Sequence, residues 1–316
     1  MVMKEISSQR FGYRVINWPD YNKALKQRGS LTFWLSEDFE KGWFSQPPSK
    51  PKRGRPFVYS QVCLQLILTF RHVFKLALRQ VTGFVTSLFS LMKKPLPVPE
   101  FSRLSKRAFA SLSKITLPSL QGQTHLVLDS SGLKVFGERE WLETKHGKQY
   151  QRKVWRKLHI GVDKEGQIVT RMLTSHRTDD RTCVKVLLDP LPLSLISEVL
   201  ADGGYDSHQL YQDLEKKNIK PLVPPPAKAV VSTSEQLTLR DKTVQYIKDK
   251  GYWAWYHKND FGRRNKVENT FYRLKTIFGR KLASRNPKNQ DAESHLICHL
   301  LNQMTNLEMP KTIKIT

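Results

Sequence analysis

Acidic side chains are scarce in this sequence beside the basic ones. Across 316 residues, 28 Asp and Glu stand against 53 Lys and Arg, a formal net charge of +25. So large an excess of one sign repels itself in a compact chain, and a polyanionic partner is the expected reason for keeping it. Nucleic acid is the first candidate and an anionic membrane surface the second. Cysteine is also scarce. Cys63, Cys183 and Cys298 are far apart and odd in number, which excludes a disulfide framework or a CxxC metal site and suits a reducing compartment. Long apolar runs are missing: no stretch of about 18 uncharged apolar residues occurs, so no spanning helix is expected. Met1 to Arg10 is polar, which excludes an apolar signal segment there. Together these absences point to a cytoplasmic, nucleoid-associated protein with no membrane partner. Hydrophobic residues at 39% and charged residues at 26% are enough for a packed core, in one large domain or two ordinary ones.

The charge is uneven along the chain. Residues 1–120 hold 20 Lys and Arg against 6 Asp and Glu, and the remainder holds 33 against 22. The first third is the more basic per residue. Ser45 to Pro56 (SQPPSKPKRGRP) has the composition of a loop. After it, the apolar spacing predicts helices over Tyr59–Lys75, Leu78–Met92 and Glu100–Leu112. The run Pro95-Leu-Pro-Val-Pro99 between the last two must be extended. Arg103, Lys106 and Arg107 lie on the third helix and are candidates to face DNA, or else form a solvated basic face. The last two helices could make a helix-turn-helix, although the proline-rich interval is long for one.

From His125 the pattern turns to strands. Leu126-Val-Leu128 runs into Asp129, where that strand is expected to end. Lys157–Val162 and Gln167–Leu173 alternate around Asp163-Lys-Glu-Gly166, which predicts a hairpin. A helix over Thr182–Leu188, a strand over Ser197–Ala201, a helix over Ser207–Lys217 and a strand over Ile219–Val223 follow. Helices are then expected over Leu239–Gly251, Arg264–Phe278 and Glu293–Met304. A three-strand meander, two further strands separated by helices, then a helix, is the order of a ribonuclease-H-like α/β fold. The expected organisation is a mostly α-helical, basic DNA-binding region over 1–120, a catalytic domain over 121–308 and a tail over 309–316.

Against this scarcity, the positions of the acids carry information. Asp129 and Asp202 both follow apolar strands, and ligands of open sheets gather at strand ends. Two such carboxylates repel one another unless a divalent cation lies between them, and oxygen ligands suit Mg²⁺ or Mn²⁺. Glu268 is one of only two acids between Asn259 and Lys288, a stretch with nine Lys and Arg. Arg264, Glu268 and Lys275 share one helix face by their spacing of four and seven. By itself that pattern fits a salt-bridge ladder equally well; the two upstream aspartates favour a site.

Phe261-x2-Arg264-x3-Glu268-x6-Lys275 resembles the Y-x2-R-x3-E-x6-K signature of bacterial insertion-sequence transposases with a DDE site, with phenylalanine in place of the tyrosine. Leu128-Asp-Ser-Ser-Gly-Leu-Lys134 and Ala201-Asp-Gly-Gly-Tyr-Asp206 resemble that family's other two acidic motifs. Gly54-Arg-Pro-Phe-Val-Tyr-Ser60 and Leu78-Arg-Gln-Val-Thr-Gly-Phe84 resemble its front half. The resemblance runs from about Ser30 to Leu307. It implies Asp129, Asp202 and Glu268 as the catalytic, metal-holding acids, with Mg²⁺ or Mn²⁺, two ions, as cofactor. It implies double-stranded DNA, both element ends and target, as substrate, with Arg264, Lys275 and Arg273 along its backbone and a homodimer assembled on it. Terminal repeats would be bound by the basic first third, cut, and their 3′-hydroxyl ends transferred to target DNA.

Other residues have blander readings. Asp206 could replace Asp202, but reads better as a helix start. Asp163 is read as a turn residue, and Asp179 with Asp180 as the opening of a helix. His295 and His299 flank Cys298 at zinc-like spacing on an apolar helix, where packing is the favoured role. Arg53 and Arg55 sit in an AT-hook-like Arg-Gly-Arg-Pro, which is otherwise a basic linker. Trp141, Trp155, Trp253 and Trp255 suit a core or lid, and the last two could stack on an unpaired base. Two other functions compete with transposition: a metal-dependent nuclease of the same fold, and a DNA-binding protein without chemistry.

Overall fold

The computed structural model describes residues 12–46, 57–135, 155–232 and 237–315. Eleven α-helices and eight strands are named here among the described residues. The chain opens with β1 (Gly12–Val15), α1 (Trp18–Gln27) and the single turn α2 (Leu31–Trp34). Three helices follow: α3 (Gln61–Val73), α4 (Leu78–Leu91) and α5 (Phe101–Leu112). Ser60 starts α3, its side chain accepting the Cys63 N–H, the usual way to satisfy an orphan first-turn donor.

The sheet-bearing half carries β2 (Thr124–Val135), β3 (Trp155–Val162), β4 (Ile168–Ser175), α6 (Asp180–Leu188), β5 (Ile196–Leu200), α7 (His208–Glu215) and β6 (Lys220–Leu222). Then come α8 (Leu239–Lys250), α9 (Tyr252–Lys258), α10 (Asn265–Phe278), β7 (Lys281–Leu282), α11 (Pro287–Leu307) and β8 (Thr312–Ile315). The sheet order is β4-β3-β2-β5-β6, with β7 joining the far end of β2. β2, β3 and β4 pair antiparallel, whereas β5 runs parallel to both β2 and β6. The architecture is mixed α/β with a mixed sheet, a meander followed by two helix-separated strands. Gly161 lies where β3 and β4 meet: an added Cβ would come within 2.5 Å of Thr170 Cγ2, so no larger residue fits without a shift in packing.

The Leu126–Leu128 stretch of β2 reads apolar on both faces, as a strand covered on both sides must. Leu126 and Leu128 point into one core with Val184 and Leu187 of α6 and Leu210 and Leu214 of α7. Val127 and Leu133 point into the other, with Phe271 and Leu274 of α10 and Ile297 and Leu301 of α11. Each such side chain, fully buried, contributes on the order of 1.5–3 kcal/mol.

A third core is built from α3, α4 and α5 together with Ala292, Leu296, Leu300 and Met304 of α11. The basic helical region thus packs directly on a helix of the sheet domain. At the junction the Glu293 carboxylate accepts the N–H groups of Ala283 and Ser284 at 2.7 and 2.8 Å. Thr312–Ile315, expected as a tail, pairs antiparallel with β1. No single helix among the described residues is long and apolar enough to cross a membrane.

Candidate acidic site and nucleic-acid face

The strand carrying Asp129 is longer than expected. β2 does not stop at Asp129 but continues to Val135, held by β3 through Lys134↔Trp155 and by β7. What ends near Asp129 is the pairing with β5, whose last register is Val127↔Leu200. Asp129 and Asp202 each lie two residues beyond that pair, Asp129 on β2 and Asp202 just past the end of β5. The sheet therefore brings them to the same level. Asp202 leaves β5 and caps a 3₁₀ turn, its Oδ1 accepting the Gly204 N–H at 2.9 Å.

α10 supplies the third acid. Its apolar face (Val267, Phe271, Leu274) is buried against the sheet, which leaves Glu268 at the margin with a side chain 49% exposed. Arg264, one turn earlier, bridges two of the acids. Its Nη1 is 4.0 Å from Asp129 Oδ2, and its Nη2 donates to Glu268 Oε1. Lys275 reaches the same strand from two turns later, donating to Ser131 Oγ at 2.5 Å. Alternation along β2 accounts for this: Asp129 and Ser131 share the face that α10 covers.

The electrostatics link all three acids. Asp129, with 17% of its side chain exposed, has its carboxyl pushed up to about 6, first by burial and further by the charges of Asp202 and Glu268. The Ser130 N–H and Arg264 work against that shift. Lys275 is lowered by burial and by Arg280, with Asp129 opposing. Carboxylate oxygens are the right donors for a hard divalent cation, and burial, with the weaker push of the two neighbouring acids behind it, favours the protonated form of Asp129. Among the described residues, however, no three His, Cys, Asp or Glu side chains converge closely enough to hold an ion. In this conformation the Arg264 guanidinium lies between Asp129 and Glu268. The donor chemistry fits; closure of the site would require Arg264 to move.

The remaining acids are engaged elsewhere. Asp206 precedes the Ser207 cap of α7 rather than capping it, and is paired with Arg240 at 2.6 Å, the two side chains 4% and 9% exposed. Asp163 Oδ1 accepts the N–H groups of Glu165 and Gln167 in the hairpin turn. Asp179 caps α6. Asp180, expected only to open that helix, does more: it accepts from Lys157 Nζ at 2.8 Å and from Ser130 Oγ at 3.0 Å.

The basic candidates separate. Arg103 and Lys106 are exposed on α5. Arg107 is turned inward: it donates to the Tyr59 carbonyl at 2.7 Å and stacks over the Phe57 ring at 4.2 Å. Arg273 also leaves the expected stripe, because two residues along a helix is more than half a turn from Lys275. It donates to Thr305 Oγ1 at 3.0 Å instead, and burial lowers it to about 10. Arg53, Arg55 and Trp141 lie outside the described residues. Trp255 is buried against Phe261, ring centroids 4.9 Å apart, while Trp253 is 66% exposed. Cys298 is fully buried in the core. Sequence reasoning passed over Tyr252, whose hydroxyl lies within the field of Arg264.

Two sequence profiles described as the transposase DDE domain match the chain, one over residues 26–138 and the other over residues 120–303. The second covers more than half of it, and the chain belongs to this family: it is a DDE transposase, an enzyme that binds DNA and depends on divalent metal. Among solved structures, the chain has a distant likeness to a cryo-EM structure of the piggyBac transposase synaptic complex with hairpin DNA. That likeness has 12% identity over 89% of this chain and 73% of that one, at a TM-score of 0.39.

Proposed function

We propose that this chain is the transposase of a bacterial insertion sequence, with a ribonuclease-H-like catalytic domain and Asp129, Asp202 and Glu268 as its three acids. The observation that carries the reading is the placement of Asp129. It lies level with Asp202 across two parallel strands, and the charges of both Asp202 and Glu268 act on its carboxyl. The cofactor is Mg²⁺ or Mn²⁺, two ions, which when bound would neutralise the attacking and leaving oxygens of an in-line displacement.

The chain's own groups do the rest. Asp129 on β2 and Asp202 just past the end of β5 would hold the ions against which the reacting phosphate is placed. Glu268, on a helix margin, completes the acid set from the open side. Arg264 leaves the carboxylates for DNA phosphate, which its fork suits, and Lys275 offers a point charge further along. In the first step water attacks phosphorus at the element end and the 3′-oxygen leaves as a hydroxyl. In the second, that hydroxyl attacks a target phosphodiester and displaces the target's own 3′-oxygen. The same site serves both because only the nucleophile changes. Arg103 and Lys106 give the helical region a face for the terminal repeats, and a homodimer holds two ends together.

The test is cleavage of supercoiled plasmid carrying the element's ends, in Mg²⁺ or Mn²⁺, by wild type and Glu268→Gln. The expected result is end-specific cutting by wild type, with Glu268→Gln binding the ends without cutting. If Glu268→Gln cuts as well as wild type, Glu268 is not the third acid.

A further inference from the structure

α3 and α4 meet at 110° across a break of four residues. That crossing and that turn length are those of a helix-turn-helix, whose second helix lies in the DNA major groove. The turn, residues 74–77, is tightly made. Lys75 takes a left-handed conformation, φ 53°. The N–H groups of Lys75 and Leu76 return to the His72 and Arg71 carbonyls at 3.4 and 2.9 Å, a closure that ends a helix and fixes the direction in which the chain leaves. Gln80 Oε1 then accepts the Ala77 N–H at 3.0 Å, which sets the start of α4. The later pair, α4 and α5, lacks this form, because residues 92–100 separate them.

The charge around the earlier pair suits a polyanion. Between Glu40 and Glu100 the sequence has no acidic residue and ten Lys and Arg. Val81, Val85 and Phe89 bury one side of α4 in the helical core. Arg79, Gly83, Ser87 and Ser90, spaced by four, four and three, are exposed on the other. Arg79 stacks over the Phe101 ring at 4.2 Å. Among the described residues no hydrogen bond or ion pair engages its guanidinium. The ring therefore holds the guanidinium while its N–H edge stays free. Gly83 is the other unspent residue. Glycine inside a helix is unfavourable beside alanine, and a Cβ added there would meet nothing within 4 Å. The fold has no use for a bare backbone at that point; close approach from outside does.

We infer that α4 is the helix that enters the major groove of the terminal repeat, with Arg79 reading a guanine edge and Gly83 letting the helix backbone come close to the duplex. The inference rests on the reading that the helical region binds the element's ends. The planar fork of Arg79 matches the two acceptors of guanine, O6 and N7. Its place as the second residue of α4 is where such a helix meets base edges. Arg103 and Lys106, on α5, add charge for phosphate, which positions the protein without reading sequence.

The test is fluorescence anisotropy of the full chain on two duplexes, one carrying the element's terminal repeat and one with the same bases in shuffled order. Wild type, Arg79→Lys and Gly83→Leu are compared, with melting temperatures measured in parallel. Arg79→Lys keeps the charge and loses the fork. It is expected to weaken binding to the repeat by about 10–100-fold and to leave binding to the shuffled duplex nearly unchanged. Gly83→Leu places a helix-favouring side chain in open space. It is expected to melt at or above wild type and yet to lose affinity for the repeat by a similar factor. Wild-type affinity for the repeat in both variants would overturn the proposal while leaving end binding by the helical region standing. Equal losses on the two duplexes would overturn it too, since α4 would then touch phosphate alone. A Gly83→Leu melting temperature well below wild type would contradict the open position on which the close approach depends. If wild type binds both duplexes equally, the reading of end recognition falls and this inference falls with it.

Discussion

Asp202 and Asp206 lie four residues apart in one motif, and the structure gives them opposite energetic signatures. Asp206 is part of a buried pair. Its carboxylate takes three bonds from Arg240, two from Nε at 2.9 and 3.1 Å and one from Nη2 at 2.6 Å, with both side chains less than a tenth exposed. Asp206→Ala leaves the Arg240 charge buried, with His208 Nε2 at 3.2 Å and the Asp241 charge as weaker company. Removing one partner of such a pair costs about 3–5 kcal/mol. At roughly 1.5 °C per kcal/mol for a chain of this length, melting should fall by about 5–8 °C. Asp202 instead accepts one backbone N–H as the cap of a short turn, a loss of about 1 kcal/mol. Asp202→Ala should therefore melt within a few degrees of wild type and yet not cut DNA. The assay is differential scanning calorimetry beside plasmid cleavage, with both variants in one buffer. If Asp202→Ala cuts, or Asp206→Ala melts like wild type and does not cut, the two residues have been assigned to the wrong roles.

Other outcomes follow from the same contacts. Asp129 ionises in the fold only above about 6 against a usual 3.8, so its protonated form is the one favoured by folding; that contribution is full below about 3.8 and is lost as pH rises through about 6. Metal-free Asp129→Asn should accordingly melt higher than wild type at pH 8, by up to about 3 kcal/mol of stability, with the gap closing near pH 4; a gap that widens on acidification would contradict this. For the same reason protons should compete with the cation at Asp129, so the Mn²⁺ concentration needed for half-maximal thermal stabilisation should rise as pH falls below about 6. Arg103→Ala with Lys106→Ala should weaken end binding and reduce the slope of log affinity against log salt by about 2, measured by fluorescence anisotropy, whereas Arg107→Ala should lower melting temperature as well as binding.

The helices and strands were legible wherever the apolar period was unbroken. α3, α4 and α5 fall within two residues of their expected bounds, and the hairpin of β3 and β4 turns at Asp163 as the Asp-Lys-Glu-Gly stretch predicts. The far half of β2 was not legible, because Asp129-Ser-Ser-Gly132 carries no apolar alternation; it is a strand only because β3 and β7 pair with it. β1 and β8 were invisible for the same reason, being short, exposed and paired across nearly the whole chain. At the site, one-dimensional spacing placed Arg264, Glu268 and Lys275 on one helix face, and the helix bears this out. Spacing could not show that Arg273 turns to Thr305, that Arg107 is stacked on Phe57, or that Asp180 meets Ser130 across the sheet. Those are facts of tertiary packing, set by which face each element buries.

The central claim is that Asp129, Asp202 and Glu268 hold the metal. Crystals soaked in Mn²⁺ and measured at its absorption edge test that most directly. The account expects an anomalous peak in contact with the carboxylates of Asp129 and Asp202, with Arg264 withdrawn from between Asp129 and Glu268. A peak on other ligands alone, with Arg264 still bridging those two acids, would contradict it.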